Sequence, residues 1–525
     1  MNADVKICDE KLLDKIYGCF YGKCLGGAAG APFEGIKKIL NIDDYKKVFR
    51  PDLPNDDLDL QLLWLDVLEN KGFNLTSCNL ADAWIEKCWY PFSEYGYFMK
   101  NYMRGIKPPY SGEINNSFFR EGMGCPIRSE IWACLCAGIP ELAVKYAYLD
   151  ATLDHAENAV YAEQFLAAVE SMAFYESDVK ILIEKGLDFI PETSKLFRCI
   201  KGVLSDYERG KSVFETRNNA LIRYGHPDFT NCVQNLAFVA VALLYGKCDM
   251  SDTISIALSC GYDTDCTCAS AASIVGIIKG FSELGQDGKL IKDEFVCGIN
   301  VVRPSNSIRA LAGDVFNLHK KLLSENITDI KTEPFTKEGY KKSLEKIQPV
   351  IWRIYGPYFE QLEQPMNPDY PSPHGEGCVL PDLVCMVNNQ AFLDKEYETS
   401  EKFADLYAKE DLIDLDSVIT MEGQYAADLE TIIVSNKDQT VWLVIGNNDG
   451  FKIEVNGLEV LKKDEIRLWT PYNNFCTANL KKGENAIKLR VLKRTEIFKF
   501  SLGLRTFKKG DHWHRAKWCT DLKFK

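Results

Sequence analysis

The sequence predicts two structural parts, an N-terminal all-α helix bundle and a C-terminal antiparallel β-sandwich. Three observations carry this prediction. Apolar residues recur at helical spacing from residue 10 to about residue 348. A stretch with seven prolines follows at 349–381. Beyond it, short apolar runs are separated by turn signals, as in strands. The 525-residue chain is long enough for several domains, each with its own core.

The helical part contains long apolar segments without convincing strand alternation. The clearest examples are residues 156–174, 233–245 and 269–281, where apolar side chains repeat along one helical face. Nothing in the pattern up to residue 348 marks a break. We therefore predict that residues 1–348 form one all-α domain.

The chain changes character at residue 349. Proline ends helices, so residues 349–381 are predicted to form a linker. Residues 382–525 are predicted to form the sandwich, because their Val/Ile/Trp runs are separated by the hairpin signals Asn-Asp-Gly and Asn-Gly. With its GNNDG and KKGEN turns, this part resembles the carbohydrate-binding, galactose-binding-like accessory modules of glycoside hydrolases. A packing domain that shields the helical part or builds a homodimer is the alternative.

Charge and hydropathy exclude several partners. The formal net charge of −13 argues against nucleic acid or an anionic membrane, since both require a basic surface. No segment reaches 18 uncharged apolar residues, and the N-terminus lacks the apolar core of a secretion signal. We therefore expect a cytoplasmic protein that does not span a membrane.

The chain has nineteen cysteines, which raises the question of zinc sites or disulfides. No two of them have the C-x-x-C spacing of zinc sites, and most lie in apolar helical runs. The pattern therefore favours free, buried thiols in a reducing compartment.

Carboxylates are concentrated on three segments. Asp56 and Asp57 precede an apolar helical run, in a predicted helix over residues 54–72 whose first turn would hold both acids. Asp263 and Asp265 precede another such run, and Glu34 ends a glycine-rich stretch. Acids at a helix start also serve as caps, which is the alternative for each pair alone. Taken together, the five carboxylates could hold one or two hard divalent cations.

Four motifs follow one another along the chain. The first consists of Gly18, Gly22, Gly26, Gly30, Pro32 and Glu34, and its small residues are expected to let a helix pack closely against its neighbours. The others are residues 55–57, the segment from Gly122 to Val169, and residues 261–266. In content and order they resemble the ADP-ribosylglycohydrolase family over residues 10–325. They correspond to the family's glycine-rich opening, its Thr-Asp-Asp, its G-x-G-x-x-M-R helix start with a helix that ends in Leu-Thr-His, and its Gly-Gly-Asp-Thr-Asp-Thr.

The resemblance implies an orthogonal helix bundle with a binuclear magnesium or manganese centre at the base of a cleft. For this chain we expect one or two of these ions. Its substrate would be a small-molecule or protein-linked ADP-ribosyl conjugate or another glycoside. Glu34 and Asp57 would be catalytic, and Cys266 would lie beside the metal ligands. The implied metal ligands are Asn55, Asp56, Asp57, Asp263 and Asp265. The implied substrate-binding residues are Gly122, Gly124, Arg128, His155 and Tyr262. Gly122 and Gly124 would offer free backbone N–H groups at a helix start to phosphate or sugar oxygens.

Three positions depart from the family pattern. Asn55 and Cys266 stand where the family has threonines, and Gly27 stands where it has an aspartate. An Asn carbonyl oxygen can bind a hard cation, whereas a thiol is a poor magnesium ligand. Thr267 comes one residue too late to replace the lost hydroxyl. These changes predict an altered centre, with one metal or a different substrate.

Three functions therefore remain open from the sequence. The first is removal of ADP-ribosyl groups, and the second is hydrolysis of another furanoside or carbohydrate by a glycosidase or nucleosidase. The third is ligand binding without catalysis. The aromatic-rich segment 88–112 is consistent with a sugar-stacking surface, since aromatic rings pack well on sugars, or with a packed core.

Overall fold

The computed structural model describes residues 7–50, 58–360, 362, 385–386, 390–398, 401–494 and 498–525. The chain divides into two compact units. The helical unit comprises Met1–Trp89, Lys107–Glu113 and Phe119–Phe335. The sandwich unit comprises Tyr90–Ile106, Ile114–Phe118 and Thr336–Lys525.

The helices confirm the predicted α-helical N-terminal part. In chain order they are α1 (Asp9–Gly30), α2 (Asp59–Lys71), α3 (Ser77–Lys87), α4 (Ser93–Met103), α5 (Ser129–Leu135), α6 (Pro140–Ala151), α7 (Asn158–Ala173), α8 (Val179–Gly186), α9 (Lys195–Glu208), α10 (Val213–Tyr224), α11 (Cys232–Gly246), α12 (Met250–Cys260), α13 (Thr264–Lys279), α14 (Ile308–Ser324), α15 (Lys337–Glu345) and α16 (Gln390–Asp394). Single 3₁₀ turns occur at Ala31–Phe33, Tyr45–Lys47, Pro126–Arg128, Leu187–Phe189, Phe281–Glu283, Asp287–Lys289, Leu415–Ser417 and Trp513–Arg515.

The core of the helical unit is built on helices that are apolar on nearly every side. Almost every residue of α11 and α13 is buried, which explains why their sequences carry so few charges. Helices nearer the surface have one apolar face and defined caps. The Ser212 side chain, for example, forms a capping box with Glu215 at the start of α10.

The sandwich unit contains the predicted antiparallel sheets. Its strands are β1 (Val350–Phe359), β2 (Cys385–Met386), β3 (Lys402–Ala408), β4 (Leu412–Asp414), β5 (Tyr425–Ser435), β6 (Gln439–Asn447), β7 (Phe451–Val455), β8 (Leu458–Lys463), β9 (Glu465–Ile466), β10 (Asn474–Leu480), β11 (Gly483–Lys493), β12 (Lys499–Thr506) and β13 (Lys523–Phe524). β2 and β9 form a separate two-stranded sheet. Of the two larger sheets, one has the order β3-β1-β5-β11-β7-β8, with β13 also on β5, and the other has the order β10-β6-β12-β4. Inward-facing apolar residues of both sheets form the core.

The two predicted hairpin signals have different outcomes. Asn456 and Gly457 have φ values of +53° and +75° and form the tight turn between β7 and β8. The Asn-Asp-Gly signal instead connects β6 and β7, which belong to different sheets. Asp449 of that signal is buried and its carboxylate accepts from the backbone N–H groups of Gly450 and Arg494. This turn is therefore a crossover between sheets and not a hairpin.

The predicted linker begins with a strand. β1 occupies residues 350–359 and pairs with β3 and β5. Pro357 is tolerated because the pairing with β5 is interrupted between Tyr355 and Tyr358, where no ladder hydrogen bond is lost. Of the remaining predicted linker, residues 361 and 363–381 lie outside the described residues.

Part of the aromatic-rich segment packs as core in the sandwich unit. The Tyr97 ring on α4 lies 5.4 Å from that of Trp518. Lys100 is 4% exposed, and its ammonium group lies 2.5 and 2.7 Å from the two carboxylate oxygens of Asp411. These contacts favour the packing alternative for α4.

Two further observations concern membrane spans and thiols. Among the described residues, no helix has both the length and the apolarity needed to cross a bilayer. Every cysteine whose side chain the structure describes is a free thiol, and most of these thiols are buried.

Candidate functional site

Glycines on α1 allow this helix to pack directly on the backbone of α13. A Cβ atom on Gly22 would lie 2.4 Å from the carbonyl oxygen of Ala272, and one on Gly30 would lie 2.1 Å from that of Thr264. The Thr264 hydroxyl also donates to the Gly30 carbonyl at 2.8 Å. The helices run antiparallel, so the end of α1 meets the start of α13. The predicted close packing is confirmed at Gly18, Gly22, Gly26 and Gly30.

The chain after α1 is tied to the chain before α13. The N–H group of Gly35 donates to the carbonyl of Tyr262 at 2.8 Å, and the N–H group of Tyr262 donates to the carbonyl of Ile36 at 2.8 Å. Tyr262 has a φ of +69°, a conformation that non-glycine residues rarely adopt. These hydrogen bonds fix the loop that carries Glu34 against the turn that precedes Asp263.

Asp263, Asp265 and Cys266 form a compact group of potential ligands at the start of α13. One ligand atom of each lies within 4.8 Å of the others. The three residues are 2%, 9% and 8% exposed, respectively. Oδ2 of Asp263 and Oδ1 of Asp265 accept no hydrogen bond from the described residues. Buried carboxylate oxygens normally have partners, so this group has unused capacity to bind a cation.

The electrostatics of this group also favour a positively charged occupant. Burial, followed by the charges of Asp265 and Glu34, raises the pKa of Asp263 well above its ordinary value. A hydrogen bond with the Cys266 thiol acts in the opposite direction. Because buried like charges repel, a divalent cation would stabilise the ionised carboxylates. Glu34 itself is exposed at the edge of the group.

Three of the predicted ligands, Asn55, Asp56 and Asp57, lie outside the described residues. The helix that follows them, α2, begins at Asp59. The prediction that Asp56 and Asp57 lie within its first turn falls on residues outside those that the structure describes, and it stays a prediction. The acid in that turn is Asp59, which is 2% exposed and accepts a hydrogen bond from the Gly298 N–H group at 3.0 Å.

Gly122 and Gly124 lie in an irregular loop before α5 and not at the helix start. The N–H group of Gly122 donates to the Phe119 carbonyl at 2.8 Å, so the expectation of a free N–H group does not hold there. The carbonyl of Arg120 in the same loop accepts from the Ala156 N–H group at 2.9 Å. Backbone hydrogen bonds thus fix this loop within the helical unit.

Arg128 and His155 meet at Asp154. Nη1 and Nη2 of Arg128 each donate to a carboxylate oxygen of Asp154 at 2.9 Å, and Nη2 lies 2.7 Å from Oδ1 of Asp150. Nδ1 of His155 lies 2.8 Å from Oδ1 of Asp154. All four residues are 0% exposed. Both predicted substrate-binding side chains are therefore buried in an ion-pair network.

The acids of this network had not been singled out from the sequence. Burial alone would raise the pKa of Asp154, but the charges of Arg128 and His155 hold it at about 2. Burial, and then the charge of Asp150, raises the pKa of Glu163 well above its ordinary value. The available signal was the occurrence of acids on faces of α6 and α7 that are otherwise apolar.

Arg217 is a second residue without a sequence signal. Its Nε donates to the carbonyl of Cys260 at 2.9 Å, and the residue is 0% exposed. The guanidinium carbon lies 5.6 Å and 5.7 Å from the ring centroids of Phe238 and Tyr262. Arg217 thereby supports the end of α12 and the turn that leads to Asp263.

Comparison with known families decides the relationship of the chain. Residues 9–321 match the family described as ADP-ribosylglycohydrolase, which is more than half of the 525 residues. The chain belongs to the ADP-ribosylglycohydrolase family. The matched range agrees with the resemblance over residues 10–325. No curated protein sequence matched this chain.

Three solved structures have distant likenesses to the chain. An ADP-ribosylglycohydrolase-related protein complex is 20% identical, with 59% of this chain and 99% of that chain covered and a TM-score of 0.44. The PA14 domain of the MpAFP antifreeze protein is 13% identical (33% and 92% covered, TM-score 0.21). A β-glucosidase from Kluyveromyces marxianus in complex with glucose is 9% identical (30% and 17% covered, TM-score 0.19). At these scores, the likenesses carry no functional argument.

The described residues fit a divalent cation of the kind that the family resemblance implies. Asp263 and Asp265 correspond to family aspartates, and each has a buried oxygen without a hydrogen bond from the described residues. Cys266 adds a sulfur atom to the same group. The two carboxylates suit a hard divalent ion such as magnesium or manganese, whereas the Cys266 sulfur is a poor ligand for magnesium.

Proposed function

We propose that this protein is a metal-dependent hydrolase that cleaves a ribosyl-type glycosidic bond, as in the removal of ADP-ribosyl groups. The observation that carries the proposal is the buried pair of Asp263 and Asp265, each with an oxygen that accepts no hydrogen bond from the described residues. The pair lies next to Glu34 at the junction of α1 and α13. Membership of the ADP-ribosylglycohydrolase family supports the reaction class.

Asp263 and Asp265 would hold one or two divalent cations together with Asn55, Asp56 and Asp57. Magnesium and manganese are the ions that the family resemblance implies. When bound, such a cation supplies a Lewis acid that orients sugar hydroxyls and lowers the pKa of a bound water. The close packing of α1 on α13 keeps the described part of this ligand set in a fixed position.

Glu34 is our candidate for the general base. It lies on the loop that is hydrogen-bonded to Tyr262, it is exposed, and its charge acts on Asp263. It would accept the proton of the attacking water, and Asp57 is the second candidate for this role. The surrounding carboxylates would stabilise the positive charge that develops on the sugar ring as the glycosidic bond breaks.

For substrate contacts, we propose Tyr262 and the loop with Gly122 and Gly124. Arg128 and His155 would act on this loop from the interior of the helical unit, because both side chains are fully buried. The backbone N–H group of the residue after His155 donates a hydrogen bond to the loop. Their role would be to position this loop, with Asp154 as the link between them.

The test uses the full chain with N-linked and O-linked ADP-ribosyl conjugates, magnesium or manganese, and chromatographic detection of released ADP-ribose. We expect turnover that falls at least about 100-fold in Asp263→Asn and Asp57→Asn. Asp252→Asn, an exposed acid on α12, is the matched control and should keep full activity.

Three outcomes would change the proposal. Wild-type turnover in both Asp57→Ala and Asp263→Ala would show that the site assignment is wrong. Hydrolysis of other furanosides in place of ADP-ribosyl conjugates would change the proposed substrate class to those furanosides. Tight, metal-dependent ligand binding without any turnover would make the protein a binding protein that retains the family fold.

The sandwich unit would bind carbohydrate. A groove of about 620 Å³ lies on the outward face of its larger sheet. Acids and bases alternate across it, with Arg490 Nε 2.5 Å from Asp428 and Lys488 4.0 Å from Glu430. The positive and negative charges of this surface balance one another, its polar groups can hydrogen-bond to hydroxyls, and its aromatic rings can pack on a sugar. It therefore suits a neutral sugar better than a polyion. Its tyrosines are Tyr355, Tyr358 and Tyr397.

This role is tested by calorimetric titration with neutral hexasaccharides of glucose, xylose and galactose. We expect Tyr355→Ala to weaken binding about tenfold. Tyr407→Ala, an exposed tyrosine on β3 that does not line the groove, should leave binding unchanged. If no hexasaccharide binds and Tyr355→Ala instead dissociates a dimer in sedimentation, the sandwich is an assembly domain.

A further inference from the structure

One donor of the candidate metal centre is a sulfur atom. The Cys266 Sγ and one oxygen each of Asp263 and Asp265 lie within 4.8 Å of one another, and the thiol hydrogen-bonds to the Asp263 carboxylate. A zinc ion lies about 2.3 Å from a sulfur ligand and about 2.0–2.2 Å from a carboxylate oxygen. A single ion between these atoms can therefore contact all three side chains after small rotations.

The two threonine hydroxyls in the first turn of α13 are committed to backbone carbonyls, and that of Thr264 donates to Gly30 at 2.8 Å. Thr267, the residue after Cys266, is 0% exposed, and its hydroxyl donates to the Thr264 carbonyl within the first turn of α13 at 3.4 Å. The start of this helix cannot rotate to present Thr267, because its backbone packs against the end of α1 at Gly30. Cys266 is thus the donor that the fold presents at this position.

We infer that Cys266 makes the centre selective for a thiophilic divalent ion of the zinc class over magnesium. Carboxylate oxygens bind either ion, whereas a thiolate discriminates strongly in favour of zinc and cobalt. The selectivity therefore rests on one side chain. This inference depends on the proposed function only in taking the Asp263 group as the metal site.

Cobalt(II) is the probe, because a cysteine thiolate bound to it gives a near-ultraviolet charge-transfer band. The metal-stripped full chain is titrated with cobalt, and zinc and magnesium binding are measured by calorimetry. Cys266→Ser and Cys266→Thr remove the sulfur. Cys268→Ser is the matched control, since this thiol lies on the same helix and donates to the Ile254 carbonyl at 3.7 Å, a contact that serine can keep.

We expect the band in the wild type and in Cys268→Ser, and its loss in both Cys266 variants. Zinc affinity should fall at least about tenfold in Cys266→Thr, and magnesium affinity should stay or rise. Cobalt binding without the band, a band that survives Cys266→Ser, or no metal binding at all would overturn the inference.

The two proposals fail in different ways. Hydrolysis of ADP-ribosyl conjugates with magnesium, in a protein that shows no thiolate band, would retain the proposed function and remove the inference. A Cys266-dependent band in a protein that hydrolyses no glycoside with any ion would do the reverse.

Discussion

At the scale of single residues, a carboxylate that would bind a cation can lower the stability of the folded protein without that cation. Asp263 is buried beside Asp265, and no hydrogen bond from the described residues satisfies its Oδ2. Its pKa is raised, which means that the ionised form is unfavourable in the folded, metal-free protein. Such a carboxylate does not stabilise the fold, whereas acids that are paired with bases do. The difference can be measured as the effect of substitution on thermal stability.

The first prediction compares Asp263→Asn with Asp206→Asn. In chelator, Asp263→Asn should unfold at the same or a higher temperature than the wild type, because it removes a buried like charge. Asp206→Asn should lower the melting temperature, since the Asp206 carboxylate binds Lys211 at 2.8 Å and Asn219 at 2.7 Å. Thermal denaturation followed by circular dichroism checks both. A clear loss of stability in Asp263→Asn would assign that residue to the core.

The second prediction concerns the buried ion pairs of Arg128. Arg128→Met should cost about 3–5 kcal/mol of unfolding free energy, because Asp150 and Asp154 would remain buried without their partner. Urea denaturation measures this cost. Replacement of the exposed Arg223 by Met is the control and should change stability little. A similar loss in both variants would contradict the assignment.

The same network gives a pH dependence. The pKa of Asp154 is held at about 2, below its ordinary value of 3.8. The stability that its ionised form contributes is therefore present above about pH 4 and is lost as the pH falls towards 2. Acid denaturation of Asp154→Asn should lack this part of the wild-type decline. An identical acid profile in both proteins would show that Asp154 does not contribute.

Sequence spacing alone was enough to select Glu34, Asp263 and Asp265 as candidates, because acids next to glycine-rich or helix-start turns can be recognised in the sequence. Asp154 and Arg217 could not be found in this way. A buried charge depends on partners from other helices, and those partners are set by packing and not by local sequence.

At the scale of elements, the glycine series of α1 determines how two helices meet. The fourth prediction is that Gly22→Ala destabilises the protein by about 1–3 kcal/mol, since the new Cβ would lie 2.4 Å from the Ala272 carbonyl oxygen. Gly202→Ala on α9 faces open space and should stabilise by about 0.5–1 kcal/mol through helix propensity alone. Denaturant titrations compare them. Equal effects would mean that α1 and α13 do not pack this closely.

Local signals determined helices and turns but not every pairing. Asn456-Gly457 formed the hairpin that its sequence predicted, because both residues can adopt positive φ. The turn at Asp449 joins two sheets, because its carboxylate is committed to backbone N–H groups and to Arg494. The strand at 350–359 was hidden by Pro357 and by Pro349 just before it. Each of these outcomes depends on partners that are distant in sequence.

At the scale of the whole molecule, the predicted order of domains is correct, but the chain does not divide at one point. The sandwich unit includes Tyr90–Ile106, which the sequence placed in the helical domain. Lys100 and Asp411, which pair within this unit, are 311 residues apart. No local pattern reports a contact over that separation, so the boundary could not be predicted.

This division yields the last prediction. A fragment of residues 1–348 retains α4 but lacks Asp411 and Trp518, whose ring lies 4.1 Å from the Lys100 ammonium group. The fragment would leave Lys100 and the apolar side of α4, including Tyr97, without their partners in the sandwich unit. We expect poor soluble yield and rapid proteolysis within residues 90–106.

The control for this prediction is Lys100→Met in the full chain, which keeps the Tyr97 ring in place and removes the ammonium group with its contacts to Asp411 and Trp518. It should remain soluble and resist proteolysis within residues 90–106 far better than the fragment does, because a methionine of similar length can still pack against Trp518. A fragment of residues 1–348 that is as soluble and as resistant to protease as the full chain would mean that α4 folds without the sandwich. In that case the helical part would be an autonomous domain, as its sequence alone predicts.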